Sequence, residues 1–311
     1  MPNKIGTRVS QKIIDTYTIR LTELEPHKQR HFLYRALKID NRKKLREQFK
    51  KIKENTKKEK RKIINYLKNS LKLEKENLKN LVNYKIKKIN DKKKLEQWKK
   101  YISVYTYHSI LWSLYYIKTL KIKFPSFFKE KLKKRGAKQI DIILSNPLFI
   151  KFAVVSAVNC IYHSKNLLNF DKEKQFLDLF RKIFKNENKK WDDLLFTNYI
   201  YGLTHIIIGA SKFYTNKVSG KNWILREFKK YEKEIYEKLT LDINIEVALC
   251  YKLCSFKENE FVNKIKKRLI KNFDIKDGYI KREKDNDFSF AEHTNAIALL
   301  LLNFDKIKFY A

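Results

Sequence analysis

The chain has 311 residues, of which 43% are hydrophobic and 14% aromatic, and 71 Lys and Arg against 34 Asp and Glu give a formal net charge of +37. This density of apolar and aromatic side chains excludes a disordered chain. The 6 Gly and 4 Pro exclude a sheet-rich fold, which needs many tight turns. We therefore expect an all-α protein with a sizeable core.

No apolar run reaches the roughly 18 residues that cross a bilayer, and the N-terminal residues lack the apolar segment of a signal peptide. The odd, small cysteine count of 3 suits a reducing compartment. We expect a cytoplasmic protein without a membrane span.

The N-terminal third is the most basic part of the chain, with 32 Lys and Arg against 11 Asp and Glu in residues 1–100. Apolar positions in residues 41–100 recur at helical spacing and form a narrow stripe, which predicts two or three long helices arranged as a hairpin or clasp. Such a charge would attract a polyanion, either nucleic acid or an acidic protein. Because only 12 of the 71 bases are Arg, an AT-rich genome explains the same composition without selection for binding.

Two histidines follow Pro26 on a predicted helix of this region. His27 and His31 are four residues apart, a spacing that can chelate a metal ion on one helical face. Few acidic residues accompany them, so we interpret them as an ordinary surface pair.

From residue 101 onward, five strongly apolar segments carry a small residue near their middles. Aligning these residues gives steps of 48, 45, 46 and 48 along the chain, and steps of similar size indicate repeated supersecondary units. The aligned residues are Ser109, Ala157, Gly202, Ala248 and Ala296.

Amphipathic segments with Lys/Glu faces lie between the apolar ones, at 171–186, 222–239 and 259–273. Inner apolar helices paired with outer amphipathic helices predict an α/α toroid, an incomplete ring of helical hairpins over residues 101–311 that follows a basic helical region over 1–100. An open solenoid and another helical bundle are the alternatives.

Helix-boundary signals support these segments. Asn146 and Pro147 have the N-cap and first-turn pattern, Asp242 is expected to cap the fourth apolar segment, and Gly136 is expected to end the helix before it.

Four short motifs are similar to those of α/α-toroid proteins, a superfamily that includes lanthionine cyclases, terpenoid cyclases and protein prenyltransferase β subunits. The motifs are G-x-x-H at 202–205, A-L-C at 248–250, D-G-Y-I at 277–280 and H-T-N-A-I-A-L at 293–299. The resemblance covers about residues 101–305 and implies a helical ring around a central cavity, but fold alone does not fix function.

Metal-dependent members hold zinc with Cys and His, for which the resemblance implies His205, Cys250 and His293. The adjacent Cys-His pair, the Asp-x-Cys and the DxDD-type motif of those enzymes are missing from this sequence. In a ring of parallel helices, His205 and His293 would differ in depth by six residues, or about 9 Å, too far to share one zinc ion, whereas His205 and Cys250 could share a layer. We therefore predict no metal site and leave the cofactor open.

The N-terminal ends of the inner helices are the expected place for chemistry, because their free N–H groups and dipoles favour anions. We predict catalytic roles there for Glu246, Glu292, His293 and Asp193, with His205 deeper in the ring. The competing interpretation is that the acidic residues cap helices and that His205 is a hydrogen-bonded core histidine.

Three functions remain open from the sequence. The first is an enzyme acting on a peptide, isoprenoid or sugar by acid–base chemistry. The second is a scaffold that holds a polyanion through residues 41–100. The third is a toxin, effector or defence component.

Overall fold

We describe the fold from a computed structural model that covers residues 2–54, 57–83, 89–187, 191–255, 260–281 and 287–309. Within these residues the chain is almost entirely helical, which confirms the all-α prediction. The helices in chain order are α1 (Pro2–Ile19), α2 (Pro26–Ala36), α3 (Lys43–Glu54), α4 (Lys57–Lys68), α5 (Ser70–Val82), α6 (Ile89–Lys100), α7 (Ile102–Thr119), α8 (Ser126–Leu144), α9 (Pro147–Phe152), α10 (Val154–Leu168), α11 (Glu173–Glu187), α12 (Asp193–Ala210), α13 (Asn222–Lys230), α14 (Glu232–Lys238), α15 (Leu241–Leu253), α16 (Glu260–Lys271) and α17 (Phe288–Leu302).

The chain divides into two compact units. The terminal unit combines residues 1–54 with 213–311, and the middle unit spans 55–212. The predicted boundary at residue 100 falls inside the middle unit, so the compact units do not coincide with the division expected from composition.

The middle unit is built around α7 and α10. Helices α8, α9 and α12 pack against α10, while α4, α5 and α6 pack against α7. Both central helices are buried around most of their circumference, and aromatic side chains such as Tyr107 and Tyr162 are fully enclosed. This burial explains why their sequences are apolar with little amphipathic character.

The terminal unit is built around α17, which contacts α1, α2, α15 and α16. Small residues at Ala291, Ala296 and Ala298 are completely buried and let these neighbours approach closely. A two-stranded antiparallel hairpin, β1 (Phe273–Asp274) and β2 (Tyr279–Ile280), also lies against α17. Its turn uses Gly278 with a φ of +74°, where a residue with a Cβ would be strained.

Two local expectations about helix boundaries have clear outcomes. Asn146 and Pro147 do open α9, and the Asn146 side chain accepts a hydrogen bond from the Phe149 amide. Gly136 was expected to end a helix, but α8 continues through it to Leu144. The glycine serves packing at this position, because the Tyr107 ring occupies the space that a Cβ would need.

The described parts of residues 41–100 are helices α3 to α6, each of 12 or 13 residues. The boundaries between α3 and α4 and between α5 and α6 lie outside the described residues, so the expectation of two or three long helices stays a prediction. One break has a simple cause: the Asn69 side chain accepts a hydrogen bond from the Lys72 amide and begins a new helix, α5. No helix in the described ranges is long and apolar enough to cross a membrane.

Candidate functional site

Two histidines and two glutamates come together on three helices of the terminal unit. Glu292 and His293 lie in the second turn of α17, which begins after the N-cap Asp287. Glu246 lies in the second turn of α15, and His31 lies in the middle of α2. Both α2 and α15 pack against α17, and this packing positions all four side chains.

Each histidine faces one of the glutamates. His31 Nδ1 is 2.7 Å from Glu292 Oε1, and His293 Nε2 is 3.4 Å from Glu246 Oε1. The two imidazole rings lie next to each other, with centroids 5.1 Å apart and planes inclined by 32°. The site therefore consists of two adjacent histidine–carboxylate pairs.

The carboxylates are buried, whereas the imidazoles reach solvent. The side chains of Glu246 and Glu292 are 1% and 4% exposed, against 37% for His293 and 19% for His31. A buried carboxylate without a partner would be strongly destabilising. Each imidazole thus covers a buried carboxylate and keeps its own accessible edge.

The pKa values of the two histidines are shifted in opposite directions. Burial, assisted by the charge of Arg35, lowers the pKa of His31 to about 4 despite the presence of Glu292. Burial would also lower the pKa of His293, but the proximity and charge of Glu246, with a contribution from Asp242, raise that pKa above its ordinary value. A neutral imidazole therefore lies beside one whose protonated form is stabilised relative to that of an ordinary histidine.

Glu292 remains ionised in this environment. Its burial alone would raise the pKa, yet the neighbouring His31, His293 and Arg35 lower it below the ordinary value for a glutamate. The Nδ1–H of neutral His31 can thus donate a hydrogen bond to the Glu292 carboxylate, which fixes the tautomer and orientation of the ring.

A constrained loop adjoins the site. Phe213 and Tyr214 both adopt positive φ angles, of 57° and 65°, which are uncommon for residues with bulky side chains. The Tyr214 carbonyl accepts a hydrogen bond from Lys38 Nζ at 2.9 Å, and the Arg35 guanidinium lies over the Tyr214 ring. Burial raises the pKa of Tyr214, and the charge of Glu246 raises it further. Strained backbone of this kind is held in place by surrounding contacts and often accompanies functional sites.

The structure brings together three of the five predicted site residues, Glu246, Glu292 and His293. The competing interpretation that the two glutamates are first-turn caps is wrong, because both lie in second turns and contact imidazoles. The expected cap Asp242 lies inside the first turn of α15, whose N-cap is Thr240.

The other two predicted residues, Asp193 and His205, belong to the middle unit. Asp193 is an exposed first-turn residue of α12, beside the N-cap Asp192, whose carboxylate accepts a hydrogen bond from the Leu195 amide. The His205 ring is 3.2 Å, from Nδ1 to Oδ1, from the Asn159 side chain. Asp193 thus lies beside a helix cap, and His205 is a hydrogen-bonded, partly buried histidine. A catalytic role for either residue stays a prediction.

The ligands implied for zinc do not form a site in the structure. His205 lies in the middle unit, while Cys250 and His293 lie in the terminal unit. Burial raises the pKa of the Cys250 thiol well above its usual range and so opposes the thiolate that zinc requires. Among the residues that the structure describes, no group of three or more His, Cys, Asp or Glu side chains could hold a metal ion.

Sequence reasoning missed His31, and with it Arg35 and Tyr214. The interpretation of His27 and His31 as a surface pair is wrong for His31, which is hydrogen-bonded to Glu292 across 261 residues of sequence. The available signal was the apolar pair Phe32 and Leu33 next to His31. Both are buried in the structure, so this part of α2 faces a core. Nothing in the local sequence indicates that this core is α17.

Comparison with known proteins gives one result. A protein-family model described as Domain of unknown function (DUF3541) matches residues 6–309. The comparisons with curated proteins and with solved structures give no match. The matched range includes α2, α15 and α17 with all four site residues. The chain belongs to the DUF3541 family.

Proposed function

We propose that this protein is an enzyme that catalyses proton transfers with His31 as general base and His293 as general acid. The observation that carries this proposal is the pair of accessible imidazoles, 5.1 Å apart, each held against a buried carboxylate. A histidine oriented by a carboxylate is a recurring catalytic arrangement, since the carboxylate fixes the tautomer and stabilises the imidazolium.

The protonation states assign the two roles. His31 uses its Nδ1–H for Glu292, so its Nε2 lone pair can accept a proton from a substrate. His293, whose pKa Glu246 raises, supplies a proton to the leaving or developing basic group. After one turnover His31 is protonated and His293 neutral, and exchange with solvent restores both. Positioned general acids and bases each contribute about 10² to 10⁴ in rate.

The substrate class and the arrangement of the helices also follow from the resemblance. We propose a peptide, isoprenoid or sugar substrate and an α/α toroid, as the resemblance implies. What supports the toroid is the packing order of the apolar helices within each unit: α7 packs on α10 and α10 on α12 in the middle unit, and α15 packs on α17 in the terminal unit.

The proposal is tested with the full chain and a panel of chromogenic esters, glycosides and short peptides. The variants are His31→Gln, His293→Gln and Glu246→Gln, and the matched control is His108→Gln in the middle unit. We expect the three site variants to lower turnover by about 10² or more, while the control retains activity. Thermal unfolding of each variant separates a catalytic loss from a loss of fold.

A measurement independent of substrate complements the panel. The ¹³C/¹⁵N NMR signals of the two imidazoles should titrate on opposite sides of pH 6.5, the ordinary histidine value. Both rings titrating together near 6.5, or unchanged turnover in the site variants, would contradict the acid–base proposal.

We propose polyanion binding through residues 41–100 as a second function. It is supported by the net charge of that region and by a groove in the middle unit whose lining includes five Lys and Arg side chains against one Glu. Binding of this kind should weaken steeply as salt rises, and a flat response of duplex DNA binding between 50 and 200 mM KCl would contradict it.

A further inference from the structure

A groove of about 430 Å³ lies along α4 and α5 in the middle unit. Its cationic lining residues are Lys58, Arg61, Lys62, Lys68 and Lys72, and its acidic residue is Glu76. We call this the basic groove. It deepens the second function proposed above, because it gives the diffuse charge of residues 41–100 one location.

The spacing of the lining residues shows how the groove forms. They recur at intervals of three and four, as on one face of a helix, and this face continues from α4 across Asn69 into α5. One groove therefore contacts residues of both helices, which also pack against each other. Its cations come from both sides of Asn69.

The groove is held on a rigid base. Ile63 and Tyr66 of α4 are buried, and both α4 and α5 pack against α7. Lys62 Nζ donates a hydrogen bond to Ser109 Oγ at 2.6 Å, and Arg135 Nη1 donates one to the Tyr66 carbonyl at 2.6 Å. The backbone that carries the groove-lining residues is thus held in place by packing and hydrogen bonds within the unit.

Five converging cations repel one another, and a concave surface concentrates their field. The N-terminal turn of α5, with its positive dipole end, lies in the same groove and adds to the attraction for anions. An anionic chain in the groove would relieve this repulsion, which makes a polyanion the matching ligand.

We infer that the basic groove binds the phosphodiester backbone of a nucleic acid duplex without sequence preference. A flat anionic membrane cannot enter a groove between two helices. An acidic protein partner would be expected to use aromatic or apolar anchors, and Leu73 is the one apolar lining residue. The lining contains no aromatic ring for stacking single-stranded bases. It is dominated by Lys, which contacts phosphates rather than reading bases.

The test compares two charge-matched variants of the full chain. Lys58, Arg61, Lys68 and Lys72 are changed to Gln in the groove variant. Lys43, Lys44, Lys50 and Lys51, all exposed on α3 of the terminal unit, are changed to Gln in the control. Both variants lose four positive charges from the same basic stretch. Circular dichroism verifies that both keep their helix content.

The probe is a fluorescein-labelled 20-base-pair DNA duplex, followed by anisotropy between 50 and 200 mM KCl. We expect the groove variant to bind at least about tenfold more weakly and its salt dependence to fall by roughly one log–log unit per cation removed. The control should lose less than about threefold. An unlabelled single strand, polyglutamate and phosphatidylserine vesicles serve as competitors.

Each other outcome overturns the inference in a different way. Equal weakening of both variants would leave polyanion binding intact but remove the groove as its location. If polyglutamate, vesicles or the single strand displaced the labelled duplex more strongly than an unlabelled duplex does, the ligand of the groove would not be a nucleic acid duplex. Absence of duplex binding by the wild-type protein would remove the second function as well.

Discussion

Both units of this protein contain histidines packed against other side chains, but the two groups have different neighbours. In the terminal unit, His31 and His293 each contact a carboxylate and reach solvent. In the middle unit, His163 is fully buried, with the rings of Trp112 and Tyr115 at 4.6 and 5.1 Å. His108 accepts a hydrogen bond from the Trp112 indole N–H at 3.0 Å.

The difference shows that a carboxylate partner can oppose the effect of burial, since Glu246 raises the pKa of His293, although burial prevails at His31. An indole N–H is only a donor, so the His108 nitrogen that accepts from it must be unprotonated. Burial lowers the pKa of His108 to about 3 and that of His163 well below its usual range. These rings stay neutral at physiological pH and serve packing, whereas we propose that the two imidazoles of the terminal unit act as a base and an acid.

The largest expected effect concerns packing in the middle unit. We expect His163→Ala to lower the free energy of unfolding by about 3 kcal/mol, because it leaves a cavity beside Trp112 and Tyr115. His163→Phe keeps a ring of similar size and should cost less than about 1.5 kcal/mol. Urea unfolding followed by circular dichroism measures both. Equal losses would mean that the imidazole nitrogens matter and that the contrast between the units is weaker than described.

The next effect concerns the carboxylate behind His31. Glu292→Gln removes a buried charge-assisted hydrogen bond, so we expect the free energy of unfolding to fall by about 2 kcal/mol. The same denaturation experiment measures it. Glu23→Gln, which removes an exposed carboxylate paired with Arg20 in the same unit, is the control and should leave stability unchanged. A stable Glu292→Gln protein would contradict the role of this buried pair.

A third prediction uses pH, with opposite signs for the two kinds of histidine. The folded pKa values of His108 and His31 lie below the unfolded value near 6.5, so the stability they contribute is present above that value. It is lost as pH falls toward about 3 and about 4, by up to about 1.4 kcal/mol per pH unit for each group. His293 has a raised pKa, so its contribution is complete below 6.5 and is lost as pH rises through its folded pKa.

Unfolding measured across pH tests these signs. His108→Gln should flatten the acidic limb of the stability curve, and His293→Gln should remove part of the decline on the alkaline side. The comparison between units fails if His293→Gln changes the acidic limb instead.

The smallest expected effect concerns the two aspartates at the start of α12. Asp192→Ala removes the N-cap hydrogen bond to the Leu195 amide and should cost about 1 kcal/mol. Asp193→Ala, at an exposed position one residue later, should change stability by less than about 0.5 kcal/mol. Thermal unfolding distinguishes the pair. A loss of turnover in Asp193→Ala at unchanged stability would restore the catalytic role predicted from the sequence.

The helices were predictable from the sequence, and so was part of the candidate site. Apolar runs with small residues specify buried helices wherever they pack, so segments such as 198–211 and 293–302 could be assigned without a template. Glu246 and His293 were both predicted at the N-terminal ends of apolar helices, and the structure has them 3.4 Å apart.

The rest depended on tertiary contacts that have no local signature. Gly136 lies inside α8, where the Tyr107 ring fills the space that a Cβ would need. The sequence shows only that a glycine is present. The His31–Glu292 pair joins positions 261 residues apart, and a division of the chain at residue 100 separates them. Composition changes near that point, but the contacts of α2 follow its apolar face and not the local charge.

The order of the chain has a consequence for biosynthesis. A ribosome adds about 5–20 residues per second, so α2 leaves it roughly 10 to 50 s before the helix that carries Glu292. Residues 55–212 of the middle unit are synthesised within that interval, while Phe32 and Leu33 of α2 still lack the α17 surface against which α2 packs. Translation that stops before α17 would therefore leave both histidine–carboxylate pairs unassembled.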